Sequence, residues 1–148
     1  MSPTEQENFI ARCTAAAGAA RAAGVSYAKV PGQCAIAVSG NGGAASVFPI
    51  VTDLRTWRET SPEEAFFVVL GDVYAWAAAR VDDAKLSRLG HDSATLGELR
   101  RESDEQLANL RALAAHAGGL AGLKSLWAAA GLAAAAVEGL TLPSTSSG

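Results

Sequence analysis

Three helix-start signatures constrain the fold of this chain more than any other feature of its sequence. The segments Ser2–Glu5, Ser61–Glu64 and Thr95–Glu98 each place a hydroxyl residue three positions before a glutamate, ahead of a long stretch compatible with a helix. The hydroxyl can accept a hydrogen bond from the N–H of the third helical residue, and the glutamate can accept one from the N–H of the capping residue. In the first two segments a proline occupies the first helical position, where its missing N–H costs nothing. The sequence therefore predicts three capped helices.

Between the first two signatures the hydrophobic period changes to two. One face of a strand within residues 25–51 carries three alternating apolar side chains: Cys34, Ile36 and Val38. Asn41 and Gly42 favour a tight hairpin turn, and Pro49 confines its strand to an edge or a bulge because proline has no N–H to donate. A phosphate-binding loop at these glycines is disfavoured, since a strand-like run follows them and no lysine is near.

The remaining patterns are helical. We predict a first helix over residues 3–23, a second over 62–89, a third over about 96–117 and a fourth over 120–137. The predicted fold class is α+β and predominantly helical: an N-terminal helix, a small antiparallel β-meander of two or three strands, then three helices. Residues 1–140 are predicted to form a single globular domain, followed by a flexible C-terminal tail over residues 141–148.

Composition and charge exclude several classes of protein. A formal net charge of −3 disfavours binding to a nucleic-acid backbone, which normally needs a basic face. The two cysteines, Cys13 and Cys34, lie outside any metal-like spacing and are expected to be buried in a protein from a reducing compartment. The first residues lack the basic start and apolar stretch of a signal peptide, so we expect a cytoplasmic protein. The uncharged stretch 126–137 is too short to span a membrane.

The sequence nominates no catalytic residue, metal ligand or cofactor. His91 and His116 lie near opposite ends of the third helix, roughly 35–40 Å apart at the helical rise, so they cannot share a metal ion within one chain. The run His91-Asp92-Ser93 is not a catalytic triad merely because its members are adjacent. We expect His116 to complement the negative C-terminal end of the helix. These observations argue against an enzyme without excluding one.

Asp72 is the first of two candidate binding features. It is the single charge between Glu64 and Arg80 in the most apolar helix, and it shares one helix face with Trp76 and Arg80. A buried carboxylate without a partner is costly, so Asp72 is either at the solvent edge of the helix or a polar anchor in an interface or pocket.

The second feature is the connector between meander and second helix, where Trp57 lies between Arg55 and Arg58. Tryptophan and arginine are enriched at binding hot spots, and loops on rigid scaffolds often carry function. Two arginines beside a tryptophan are also suited to an anionic ligand or a nucleobase. The alternative is that Trp57 packs under the meander as part of the core.

The apolar second and fourth helices favour self-association, with Leu126 and Trp127 as interface residues. The leading hypothesis is a small non-enzymatic protein–protein interaction or structural protein that forms a homo-oligomer. Its alanine bias indicates a bacterial or phage origin, such as a phage structural subunit or an inhibitor of a host complex. Such a protein would work in the cytoplasm, in a phage particle or in an infected cell.

The alternative hypothesis is a small-ligand-binding protein or enzyme. Its pocket would lie between the meander and the second helix, with four lining residues: Tyr27, Arg55, Trp57 and Asp72.

Overall fold

The computed structural model describes residues 2–87, 93–138 and 140, with side chains described outside residues 81–104. The elements, in chain order, are α1 (Pro3–Ala22), β1 (Val25–Lys29), β2 (Ala35–Gly40), β3 (Ser46–Pro49), α2 (Leu54–Glu59), α3 (Pro62–Ser87), α4 (Ser93–His116), α5 (Leu120–Ala129) and a 3₁₀ helix (Ala134–Val137). The predicted end of the second helix at Leu89 and Gly90, the pair His91 and Asp92, and the tail 141–148 lie outside the described residues.

The predicted fold class is confirmed. An N-terminal helix leads into a three-stranded antiparallel sheet of order β1-β2-β3, and helices follow. One element of the fold was not predicted from the sequence, and one predicted helix is shorter than expected. The connector forms α2, whose first turn is capped by Asp53: its carboxylate oxygens accept from Thr56 N–H at 2.7 Å and from the Thr56 hydroxyl at 3.0 Å. The predicted fourth helix ends at Ala129, because Gly131 adopts a φ of 82° that a right-handed helix cannot continue.

The first helix-start signature is confirmed in full. Ser2 Oγ accepts from Glu5 N–H at 3.2 Å, and Glu5 Oε2 accepts from Ser2 N–H at 3.3 Å. At the second signature, Ser61 Oγ accepts from Glu64 N–H at 3.1 Å. The side chains of the third signature lie outside those described, and α4 begins at Ser93, three residues before the predicted start. Local capping thus sets two of the long helices in place.

The helices cover one face of the sheet. Ile36, Val38 and Phe48 point to that face and are 0–3% exposed. Helices α1, α3, α4 and α5 supply most of the remaining core, and the predicted small-residue stripe of α1 is buried: Cys13, Ala16, Ala17 and Ala20. Burial raises the pKa of Cys13 to about 11, with a further contribution from the Glu64 carboxylate. This thiol is therefore a packed core group, as the sequence analysis expected of it.

The β2–β3 connection contains the predicted hairpin turn. Asn41 and Gly42 both have positive φ (53° and 78°), and Gly43 N–H donates to Gly40 O at 3.1 Å, as in a type I′ turn. The turn is fixed to the end of α4, because the Asn41 amide donates to the backbone carbonyl of His116. The turn is therefore connected to α4 by a specific hydrogen bond from a side chain to a backbone carbonyl.

His116 completes this contact. Its ring is 4% exposed; Nδ1 donates to Gly40 O at 3.2 Å, so that in the neutral ring Nε2 accepts from the Ser46 hydroxyl at 2.9 Å. A serine–histidine pair can serve nucleophilic catalysis, but here both ring nitrogens hold strand ends against a helix end. We assign His116 a structural role at the last residue of α4, the position at which a dipole contact was predicted.

Candidate functional site

Helix α2 places the predicted binding segment on the edge of the molecule. Trp57 is buried (6% exposed), whereas Arg55 and Arg58 are exposed on the same helix. Lys29 Nζ lies 4.3 Å from the centroid of the Trp57 ring and donates to the carbonyls of Trp57 (2.7 Å) and Thr60 (2.8 Å). The lysine therefore satisfies carbonyls at the C-terminal end of α2 and fixes the helix to β1. The tryptophan anchors the segment, and its two arginines face solvent.

A cavity of about 520 Å³ lies between the β1–β2 turn and α2. It is lined by residues at the end of β1 and in the β1–β2 turn and by residues of α2: Lys29, Val30, Pro31, Gly32, Gln33, Leu54, Trp57 and Arg58. Since the Lys29 ammonium is already bonded to two carbonyls, Arg58 supplies the cation available to a ligand among these residues.

Asp72 lies in a different place. It lines a cavity of about 180 Å³ beside β3, together with Glu105, Gln106 and Asn109 from α4. Its side chain is exposed, and partial desolvation by the surrounding residues raises its pKa above the ordinary value. Among the alternatives left open by the sequence, the structure combines two: a solvent-accessible carboxylate that also faces a cavity.

Trp76 and Arg80 form a pair on α3. The guanidinium carbon of Arg80 lies 5.5 Å from the centroid of the Trp76 ring, which is half-buried. This is a cation–π contact within one helix turn, of modest strength at a partly exposed site. The three residues predicted to share one face of α3 therefore take part in two separate features: Asp72 lines a cavity, and Trp76 and Arg80 form this pair.

In the described part of the chain, three of the four residues that the alternative hypothesis places in one pocket line three different cavities. Tyr27 stacks on Phe66 with ring centroids 4.6 Å apart and lines a shallow recess beside the start of α3. Trp57 and Asp72 line the two other cavities described above. The structure therefore separates residues that the hypothesis placed together.

Leu126 and Trp127 lie in the core of the chain, 1% and 0% exposed. The Trp127 indole N–H donates to Leu70 O at 3.1 Å, and its ring meets Tyr74 edge-on at 5.5 Å. Their assignment to an interface between copies stays a prediction, with no support from the contacts within this chain.

The exposed apolar surface that the sequence analysis did not identify runs from β3 into α2. Val47, Val51 and Leu54 are 53%, 103% and 59% exposed. Together with Arg55 and Arg58 they form what we call the β3–α2 surface. A sequence signal for it exists: residues 30–52 contain no charged side chain.

The outer face of the sheet adjoins the β3 part of this surface and carries no charged side chain in its aligned rows. The strand register aligns Ala28, Ala37 and Val47 in one row across the three strands, and pairs Ser26 with Ser39 beside it. Solvent-facing sheet surfaces normally carry charged side chains, so an outer face made of alanine, serine and valine is unusual for a surface that stays in water.

Among the side chains described in residues 2–80, 105–138 and 140, no group of three or more His, Cys, Asp or Glu is placed to hold a metal ion. In the same part of the chain, no helix has the length and apolar character needed to cross a membrane. A scan against protein-family models, a search of curated proteins and a search of solved structures each return no match.

Proposed function

We propose that this chain is a small non-enzymatic protein–protein interaction or structural protein that contacts its partner through the β3–α2 surface. One observation carries the proposal. Of the five large apolar side chains that are exposed among the described residues, three fall within residues 47–54. Scattered single apolar side chains are normal on a protein surface, whereas three exposed ones within eight residues of sequence, next to an uncharged sheet face, favour an interface.

The chemistry around these residues supports recognition of a protein. Protein interfaces combine apolar side chains with arginines, and the β3–α2 surface contains both. Burial of apolar area supplies the free energy, and exposed guanidinium groups of Arg55 and Arg58 add directional hydrogen bonds. The fixed position of α2, anchored through Trp57 and Lys29, lowers the conformational entropy lost on binding.

The origin and compartment that we propose for this protein are those expected from its sequence. A bacterial or phage protein that works in the cytoplasm, in a phage particle or in an infected cell would meet its partner in reducing conditions, where Cys34 and Cys13 remain free thiols. A phage structural subunit or an inhibitor of a host complex would use such a surface directly. The partner is either another copy of the chain or a different protein.

The test of self-association compares two exposed apolar positions. We expect Val47→Asp to weaken association between copies at least about tenfold, because a carboxylate would be desolvated in the contact. Ile10→Asp on α1 is the matched control, since Ile10 is 61% exposed but lies away from the β3–α2 surface. Sedimentation velocity over about a hundredfold range of concentration measures the effect.

Two results of this experiment contradict the self-association component of the proposal. One is a wild-type chain that stays monomeric over the whole range. The other is an equal effect of Val47→Asp and Ile10→Asp, which would place the contact elsewhere on the molecule.

A further inference from the structure

Strand β3 is the last strand of the sheet among the described residues, and its pairing with β2 shows which backbone groups point outward. Ile50 N–H donates to Cys34 O at 2.8 Å. Because bonded and non-bonded pairs alternate in an antiparallel ladder, the pairs Ile36/Phe48 and Val38/Ser46 are bonded. Val47 and Pro49 occupy the alternate positions. The open edge of β3 therefore presents the N–H and C=O of Val47 and the C=O of Pro49.

This edge is short and contains a proline, but it carries no charged side chain to oppose another strand. Natural edge strands are usually guarded by charged side chains, by proline or by a covering element. Residues 30–52 carry no charge, and Pro49 removes one outward donor without affecting Val47. The predicted confinement of Pro49 to an edge is thus confirmed, and the N–H of Val47 remains available for a bond to a partner.

An acidic cavity lies directly beside this edge. Phe48, Pro49 and Val51 line one side of it, and the carboxylates of Asp72 and Glu105 line the other. Its volume of about 180 Å³ accommodates the end of a lysine or arginine side chain. On a strand added to β3, alternate side chains point to the face of the sheet that the helices cover, which is where this cavity lies.

We propose that β3 is a strand-addition site for an extended segment of another protein that carries a lysine or arginine, with the cationic end of that side chain in the cavity of Asp72 and Glu105. This inference rests on the proposed function and names its partner chemistry. Charge complementarity selects this occupant over a second copy, because the β3 strand of a second copy has no cation to place in the cavity.

The first test uses two short peptides of alternating threonine and valine that differ in one central residue, lysine or glutamate. Binding is measured by fluorescence anisotropy on the intact chain. The lysine peptide is expected to bind at least about tenfold more tightly than the glutamate peptide. The double variant Asp72→Asn with Glu105→Gln keeps the shape of the cavity and is expected to abolish this preference.

The second test addresses the backbone pairing. Val47→Pro removes the outward N–H while leaving the bonds between β2 and β3 intact, and Val47→Ala shortens the side chain but keeps that N–H. We expect Val47→Pro to weaken the lysine peptide about tenfold relative to Val47→Ala. Lysine peptides N-methylated on alternate residues give the same information on the wild-type chain if Val47→Pro fails to fold. Methylation on the side that faces β3 should abolish binding, and methylation on the other side should not.

Three results overturn the inference. The first is equal binding of the lysine and glutamate peptides. The second is binding that survives both Val47→Pro and methylation on the β3-facing side. The third is a chain that does not bind the lysine peptide but self-associates, and loses this self-association in Val47→Pro. The last result would make a second copy the occupant of the edge, and the proposed function would still stand. Loss of the proposed function itself would instead be seen as an absence of any effect of Val47→Asp on association with a protein.

Discussion

Trp127→Ala is expected to lower the free energy of unfolding by about 3–5 kcal/mol, a large share of the roughly 5–15 kcal/mol that stabilises an ordinary domain. The Trp127 side chain is 0% exposed, donates its indole N–H to Leu70 O at 3.1 Å and contacts the Tyr74 ring edge-on. Removing it leaves a cavity between α3 and α5 that surrounding helices cannot fill. Equilibrium urea denaturation measures the change.

Trp76→Ala is the matched control for this experiment. Trp76 is also a tryptophan near the core, but it is half-buried and its described ring contact is to the Arg80 guanidinium at 5.5 Å. We expect a loss of about 1–2 kcal/mol, since less apolar area leaves contact. A Trp127→Ala chain that keeps its monomer stability but dissociates from its partner would show instead that Trp127 is an interface residue.

Gly40→Ala is expected to destabilise the fold by about 3 kcal/mol, at the upper end of the cost of overpacking a close contact. An added Cβ would lie 2.6 Å from the backbone oxygen of His116 and 3.0 Å from that of Gly24. Both obstacles are backbone atoms, one at the end of α4 and one in the turn before β1, so these segments must move away from β2. The thermal midpoint and the urea midpoint report the effect.

Gly42→Ala separates steric cost from backbone strain. Nothing lies within 4 Å of an added Cβ at Gly42, and the position has a φ of 78°. The expected cost is about 1 kcal/mol, from the left-handed conformation alone. If both alanine variants lose the same stability, the close contact between the β2–β3 turn and α4 is not formed in solution.

The parts of the fold that were predictable depend on neighbours in sequence. The Ser2–Glu5 cap, the Ser61 cap and the Asn41-Gly42 turn each follow from bonds or φ values within four residues. The alternation of Ile36 and Val38 also fixes which face of β2 is buried, because a side-chain period of two leaves one choice of face. The short helix α2 was not predicted, since six residues are too few to display a helical period.

Whether each candidate residue is buried within the chain depends on contacts between residues that are far apart in the sequence. An apolar helix such as α3 can be covered by its own chain or by a second one, and periodicity does not distinguish the two. Here α1, α4, α5 and the sheet cover it, which places Leu126 and Trp127 inside the chain. The sequence also left open whether Trp57 is a binding residue or part of the core, because the Lys29 ammonium that packs on its ring lies 28 residues away in sequence.

The β3–α2 surface was missed for a different reason. Val47 and Val51 read as ordinary strand residues and Leu54 as part of the connector, and their exposure depends on which faces the rest of the fold leaves uncovered. The lack of charge over residues 30–52 was the available sequence signal. It indicates that a strand face is covered, but not whether helices of the same chain or another protein cover it.

Site-specific photo-crosslinking tests the central claim, that the β3–α2 surface contacts a protein. A benzophenone amino acid at position 47 is compared with the same group at position 10, two exposed apolar sites on different parts of the molecule. The chain is irradiated in cells of its source, and crosslinked species are resolved by mass and identified by peptide mapping. We expect a discrete protein adduct from position 47, formed either with a second copy or with a different protein, and none from position 10. Equal adducts from both positions, or none from position 47, would contradict it.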